Sequence, residues 1–426
     1  MLTREENARL TQVGPGTPMG ETMRRYWLPI ATSAQLPSPD CDPLRSTLLG
    51  EPFVVFRNSD GEVGVLDEMC MHRGVSLALG RVEGNGIRCL YHGWKFAVDG
   101  TIQETPNHCN ERFRQRLKAP AYPVREAGGL IWTYIGPKEK QPPFQKYIFM
   151  DGPEENRVVL RVDTEANYLQ LWEGGTDSSH VGILHHDHVA IAKNKDEAFD
   201  LGVMAVSDHA PVLDIVDTEY GYHYAAKRQG PVGADGNETF SIRVTPVVFP
   251  TGRIIPAPNT FQYFLFEVPA TDGVTSTYIV CHGQTKADKQ GVKGILGLND
   301  PRFWNEQDCT FRAHWHVNKM NQDRHRMGTS FAGFSGIEQE DAVLSVSMGP
   351  VVDRTKEHLV PADRAVVHLR ARLLESIRRV EEGGDPIGLH VRDYSDVHAL
   401  IDTTVGTSDR WSNLLPGNME LLQAAE

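Results

Sequence analysis

CMHRGVSLALGRVEGNGIRCLYHGW, residues 70–94, decides how the first part of the chain is read. One residue separates Cys70 from His72, two separate Cys89 from His92, and sixteen lie between the pairs. Each pair therefore supplies one thiolate and one imidazole. Two thiolates can hold one iron of a [2Fe–2S] cluster and two imidazoles the other, which raises the reduction potential. The competing reading is structural zinc, but zinc fingers usually pair Cys with Cys and His with His. Mixed pairs flanked by Arg73-Gly74 and Gly93-Trp94 fit the cluster better.

The sequence around this stretch has the texture of antiparallel strands. PFVVFR (52–57), Asp60-Gly61 and EVGVLD (62–67) read as a hairpin, with Asp-Gly as the turn. WKFAV (94–98), Asp99-Gly100 and TIQE (101–104) read as a second. AYPVREAGGLIWTYIG (121–136) reads as two short strands about Gly128-Gly129, and GPKEKQPPFQK (136–146) as a linker. Residues 3–11 and 18–27 have helical composition, broken at Gly14-Pro15-Gly16.

Beyond the linker, RVVLRVD (157–163) reads as a strand leading into a helix. Strand-rich segments follow at 214–229, 238–249, 259–269 and 275–284. Residues 301–327 have helical composition. A last helix is expected after Asp363 as N-cap, with Val366, Leu369, Leu373, Ile377 and Val380 on one face and Gly383-Gly384 at its end. The fold class is α+β, an antiparallel β domain followed by a large antiparallel sheet with helices against it.

With 426 residues and 40% hydrophobic content, two domains are expected. The start, MLTREENARL, lacks the apolar region of a secretory signal, and no apolar run approaches membrane length. Six cysteines (Cys41, Cys70, Cys89, Cys109, Cys281, Cys309) are too sparse for a disulfide framework, so the expected compartment is the cytoplasm. A net charge of −13 argues against a nucleic-acid partner, though it permits a cationic pocket for an anionic substrate.

Asn167–His188 (NYLQLWEGGTDSSHVGILHHDH) holds a second constellation. Asp177, His180 and His185 form D-x2-H-x4-H. On a slightly irregular helix the two imidazoles could share one metal, and with a carboxylate from elsewhere they make the 2-His-1-carboxylate triad of Fe(II) oxygen chemistry. The alternative is a His-rich surface run; the zinc-protease string H-E-x-x-H is absent.

These motifs resemble a family. CMHRG and CLYHGW are similar to the Rieske signature of the ring-hydroxylating non-haem iron oxygenases, whose commonest form has Pro where the non-ligand Met71 stands. EGGTDSSHVGILH (173–185) resembles their mononuclear-iron motif. Residues 1–27 and VSMGPVVDRTKEHL (346–359) resemble the phthalate 4,5-dioxygenase branch, and the resemblance runs from end to end.

The resemblance implies three parts: a helical segment over 1–44, a Rieske domain over 45–140, and a catalytic domain of helix-grip type over 147–426. It implies a [2Fe–2S] cluster on Cys70, His72, Cys89 and His92. It also implies one Fe(II) on His180, His185 and Asp341, the last within IEQEDAVLSVSMGP (337–350). Glu338 and Glu340 are the competing acids, otherwise read as a solvated helix start. His186 and His188 compete with His185 and are read as structural or pocket-edge groups; His314 and His316, with no telling carboxylate partner, as core or surface histidines.

Asp177 is implied to bridge electrons between an iron-ligating His on its own chain and a Rieske His of a neighbouring copy, in a homotrimer or a hexamer of stacked trimers. Many relatives carry Asn before this acid, where Glu173-Gly174-Gly175 stand here. Electrons would come from NAD(P)H through a flavin-containing reductase. The implied reaction is cis-dihydroxylation with O2 of an aromatic carboxylate, a phthalate isomer, chlorobenzoate or phenoxybenzoate. The runner-up is O-demethylation of an aryl ether such as vanillate.

A carboxylate in a dry pocket calls for Arg. Arg243, on the opposite strand face from Phe240, Ile242 and Val244, is the first candidate; its alternative is a solvent-facing arginine. Lys227, Arg228 and His209 are weaker candidates.

Overall fold

The computed structural model describes residues 1–190, 208–230, 232–233, 236–256, 261–406 and 410–415. Chain contacts divide it into two compact units, Val13–Phe144 and Met1–Gln12 with Gln145–Glu426. Of residues 1–44, read as one helical segment, Arg4–Thr11 lies in one unit and Pro18–Met23 in the other, and Leu28–Thr32 is a strand.

Val13–Phe144 contains three antiparallel sheets. Glu51–Arg57 and Val63–Asp67 form the hairpin expected from Asp60-Gly61, and Gly61 has φ of 85°, which a glycine adopts without steric cost. Val124–Ala127 pairs with Leu130–Thr133 across the two glycines. The strands of the second expected hairpin are only Lys95–Phe96 and Ile102–Glu104, in a small sheet with Arg81–Glu83 and Gly86–Arg88. Val54, Phe56, Leu66, Leu77, Ile87, Trp94 and Phe96 pack into a core that includes Cys70 and Cys89. Each such large side chain, once buried, stabilises by about 1.5–3 kcal/mol.

The other unit is built on an eight-stranded sheet. Its strands are β1 (Arg157–Thr164), β2 (Val212–Thr218), β3 (Gly221–Gln229), β4 (Thr239–Val248), β5 (Gly252–Pro256), β6 (Gln262–Thr271), β7 (Val274–His282) and β8 (Leu400–Gly406). Their order is β1-β7-β6-β5-β4-β3-β2, with β8 also paired to β4, and every pair is antiparallel. One face packs Ala225, Ile242 and Val244 against Val405, Trp411 and Leu415. The other covers Leu160, Leu265 and Ile279 with Phe334, Ala342 and Val343, among others.

Four helices of this unit matter below: α1 (Arg4–Thr11), α2 (Tyr168–Thr176), α3 (Ile337–Ser347) and α4 (Arg364–Glu381). In α4, Val366, Leu369, Leu373 and Ile377 are buried as their spacing predicts, and Gly383 follows with φ of 85°. Asp363 is the N-cap by position, but its carboxylate accepts from the Val360 N–H, outside the helix.

Residues 301–327 correct the helical expectation. They contain only short pieces, the four α-helical residues Trp315–Asn318 and 3-10 turns at Lys319–Asn321 and Arg324–Gly328. Lys319, Met320 and Asn321 all have positive φ, which ends a right-handed helix. Asn305, Asp308, Asn318 and Asp323 bond nearby backbone N–H groups and so stabilise turns instead.

Candidate metal centres

In the first unit, Cys70 and Cys89 are buried beneath two loops that return at Gly74 (φ 70°) and Gly93 (φ 75°). Burial pushes the Cys70 thiol up to about 11 and Cys89 adds to it, while N–H groups of His72 and Arg73 work the other way. The His72 and His92 rings stand edge to face with centroids 4.5 Å apart. Trp94 stacks on His72 at 4.7 Å and 6°. Desolvation first, then the neighbouring His92 and Arg73, lower the His72 pKa, favouring the neutral ring a metal needs. His92 Nδ1 is buried without a hydrogen-bond partner, as a ligand atom would be. Two thiols and two imidazoles in this arrangement fit a [2Fe–2S] cluster. An open cleft of about 390 Å³ borders His72, lined by Met71, Trp94, Asn107, His108, Phe113 and Leu117.

In the second unit the helix of the D-x2-H-x4-H motif stops early. α2 ends at Thr176, Asp177 caps it in an extended conformation, and His180–Gly182 forms a 3-10 turn. The break, rather than a continuous helix, brings His180 Nε2 and His185 Nε2 to 3.1 Å. Asp341 of α3 completes the group, its Oδ1 lying 3.7 Å from His180 Nε2 and 3.2 Å from His185 Nε2. Ligands about 2.1 Å from one ion at right angles stand about 3 Å apart, so these three atoms fit one metal. Among the described residues this is the one group of His, Cys, Asp or Glu with that convergence at a single point. Burial works to raise the Asp341 carboxyl, but His185 and His180 outweigh it and hold it down to about 2.

Glu338 and Glu340, the acids competing with Asp341 and otherwise read as a solvated helix start, are buried. Glu340 lies behind His185, its Oε2 2.7 Å from Nδ1. A carboxylate on the far nitrogen orients a ligating imidazole. Sequence reasoning missed this role, and the signal available for it was adjacency to Asp341. Glu338 lies one turn earlier on α3; burial raises its pKa well above the carboxylate range, and Glu267 and Asp341 add to this. His188 Nε2 is 3.8 Å from Glu340 Oε1, and His186 sits against Phe331. His314 does have a carboxylate neighbour, Glu165 at 3.4 Å; His316 is exposed.

Asp177 is held by Ser179, whose N–H and Oγ–H donate at 2.7 and 2.8 Å, and its Oδ2 is 3.5 Å from His180 Nδ1. Burial opposes ionisation here, yet His180 and Ser179 together lower the Asp177 pKa. Glu173, four residues before it, is clamped by two buried arginines: Arg354 pairs with it at 2.9 Å, Arg370 at 2.6 Å. Gly175, in the same turn, is fixed by a close approach. A Cβ there would lie 1.9 Å from Arg253 Nε, so this helix turn rests directly on a buried β5 arginine paired with Glu267.

Arg243 lies opposite Ala226, between the Tyr224 and Arg228 positions, on the sheet face away from Ile242 and Val244. That face meets the end of α2: the Tyr224 hydroxyl is 3.5 Å from the Gly175 carbonyl, and Arg228 bonds Ser178. The charges of Arg243, Asp177 and Arg253 all act on the buried Tyr224 ring. Arg243 is half-buried and has no ion pair among the described residues. Lys227 is a correction: strand alternation turns it to the opposite face, where Asp214 takes its ammonium at 3.1 Å. His209 is also corrected, since it is exposed in a bend before β2.

The description "Rieske [2Fe-2S] domain" matches residues 26–123, and "LigXa C-terminal domain like" matches 133–416. The phthalate 4,5-dioxygenase oxygenase subunit of Pseudomonas putida is 35% identical, over 91% of this chain and 89% of its own length. The 3-chlorobenzoate-3,4-dioxygenase oxygenase subunit of Comamonas testosteroni is 33% identical, over 90% of each chain. The terminal oxygenase of carbazole 1,9a-dioxygenase from Nocardioides aromaticivorans shares the fold, with a TM-score of 0.58 at 17% identity, over 88% of this chain and 97% of that one. A Rieske domain carries a [2Fe–2S] cluster, and the oxygenase relatives use a mononuclear iron. No helix among the described residues is long and apolar enough to cross a membrane. The chain belongs to the Rieske non-haem iron oxygenases, as an oxygenase subunit of the phthalate 4,5-dioxygenase branch that receives its electrons from a reductase.

Proposed function

We propose that this oxygenase subunit cis-dihydroxylates an aromatic carboxylate of the phthalate, chlorobenzoate or phenoxybenzoate class. The observation that carries the reading is Arg243, an unpaired guanidinium among the described residues. It stands on the sheet face that also meets the Asp177–His180 turn. Such a group can take a carboxylate in bidentate geometry and so orient the ring.

In this reading Cys70, Cys89, His72 and His92 hold the cluster, and His180, His185 and Asp341 hold Fe(II). Bound iron supplies open positions for O2 and the redox chemistry of ring hydroxylation. Glu340 keeps the His185 ring oriented, and the hydrophobic cluster around Ala342 and Val343 limits water on the α3 side. Asp177, fixed by Ser179, hydrogen-bonds His180 and a Rieske histidine of a neighbouring copy, in a trimer or in stacked trimers. NAD(P)H and flavin act only through the reductase.

The test is turnover of benzoate, the phthalate isomers, chlorobenzoates, phenoxybenzoates and vanillate under isotope-labelled O2, with a competent reductase. A dihydrodiol carrying two labelled atoms supports the proposal. Turnover of vanillate alone, with demethylation, replaces it with the monooxygenase reading.

A further inference from the structure

Arg228 is 2% exposed and lies on β3. Its side chain leaves the site face of the sheet and reaches the segment between α2 and the 3-10 turn. There an Nη2 proton donates to the Ser178 carbonyl at 2.8 Å and Nη2 also reaches Ser178 Oγ at 3.2 Å, while Nε donates to the Asp208 carbonyl at 3.0 Å. Residues 177–179 have left the helical ladder, so intrahelical bonds no longer set their direction. Yet this is the segment from which Asp177 and His180 project.

Within it, among the described residues, Ser179 donates both hydrogen bonds to the Asp177 carboxylate, and His180 Nδ1 lies 3.5 Å from it. Those bonds fix the carboxylate relative to the turn, and Arg228 fixes the turn relative to the sheet. Arg253 supports the same stretch from below Gly175, and Arg354 and Arg370 hold Glu173. Three of these arginines act on the helix; Arg228 is the one that reaches past its end.

We infer that Arg228 is a positioning residue for electron transfer, not a substrate contact: it sets the orientation of Asp177 and His180 together. The electron-transfer part of this inference rests on the proposed bridging role of Asp177. Its effect on His180 does not.

The test uses R228Q, R228K and D177N in the full-length protein, with cluster and iron contents measured first. One readout is the iron-dependent reoxidation of the reduced cluster by dioxygen, taken as the rate of iron-loaded protein minus that of chelator-stripped protein. The cluster loses the electron and dioxygen accepts it. The second readout is the EPR spectrum of nitric oxide bound as a probe at the iron. R228Q is expected to slow reoxidation about tenfold or more, because displacements near 1 Å at such sites carry large rate losses. It is also expected to change the nitric oxide spectrum, and R228K to recover part of both.

If R228Q does not fold, R228K alone must show a changed spectrum at normal thermal stability. Reoxidation within twofold of the parent, with an unchanged spectrum, overturns the inference. If D177N leaves reoxidation intact, the bridging role fails; Arg228 is then judged on the nitric oxide spectrum, where no change in R228Q overturns it.

Discussion

Glu340 Oε2 lies 2.7 Å from His185 Nδ1, and both side chains are buried. His185 therefore has carboxylates at both nitrogens, Glu340 on one side and Asp341 on the other. Glu340→Gln keeps the shape but removes the carboxylate that orients the ring. Losing such a partner typically costs 10–100-fold in metal affinity, roughly, and that is the expected loss for E340Q. Iron retained during dialysis against graded chelator measures it, and the visible spectrum of the cluster should not change.

The same geometry makes iron loading pH-dependent. Burial acts to lower the His185 imidazolium, but Asp341 and Glu340 outweigh it and raise its pKa to about 10 in the metal-free site. Because the folded pKa lies above the ordinary 6.5, the metal-free unit has the stability of this pair in full below 6.5. That stability is lost as pH rises through about 10. Metal requires the neutral ring, so Fe(II) must expel this proton. Anaerobic loading near neutral pH should release about one proton from this residue, and apparent affinity should weaken roughly tenfold per pH unit on acidification. Proton release in weak buffer tests this; no release would mean that His185 is already neutral.

Arg354 is fully buried and bonds Glu173 through Nε and Nη2, with Nη1 on Asn7 of α1. Arg354→Met leaves the Glu173 carboxylate with Arg370 alone. Breaking a buried pair from one side costs about 3–5 kcal/mol. The melting transition of the catalytic unit should fall by roughly 10 °C. R354M combined with E173Q should recover part of that loss, because Arg370 then pairs with Glu357 and no surplus carboxylate is left buried.

Arg243→Lys keeps a cation but loses the planar fork. If Arg243 takes the substrate carboxylate, R243K should raise KM about tenfold, and R243M more, with a smaller change in kcat. Steady-state kinetics on whichever carboxylate is turned over decides this. An equal loss on the matching carboxamide would place Arg243 elsewhere in the mechanism.

Asp341→Asn should empty the iron site while leaving the cluster, because Cys70 and Cys89 lie in the other unit. Metal analysis should give iron and labile sulfide in the ratio of the cluster alone.

Local spacing carried much of what could be read in advance. The Cys70–His92 pairs, the hairpin at Asp60-Gly61, the β1-to-α2 passage and the apolar face of α4 all depend on neighbours within a turn, a hairpin or a short loop. Their physics is short-range, so the amino-acid order by itself determined them, and family resemblance pointed to Asp341. Only the tertiary structure decided which faces close on one another. It buried Glu340 against His185, turned Lys227 away from the site and committed Arg228 to Ser178. It also showed Gly175 to be required by the approach of Arg253, and dissolved the expected helix over 301–327 into turns. Those outcomes depend on contacts between residues far apart in the chain. Helical composition or charge at one position carries no information about what packs against it.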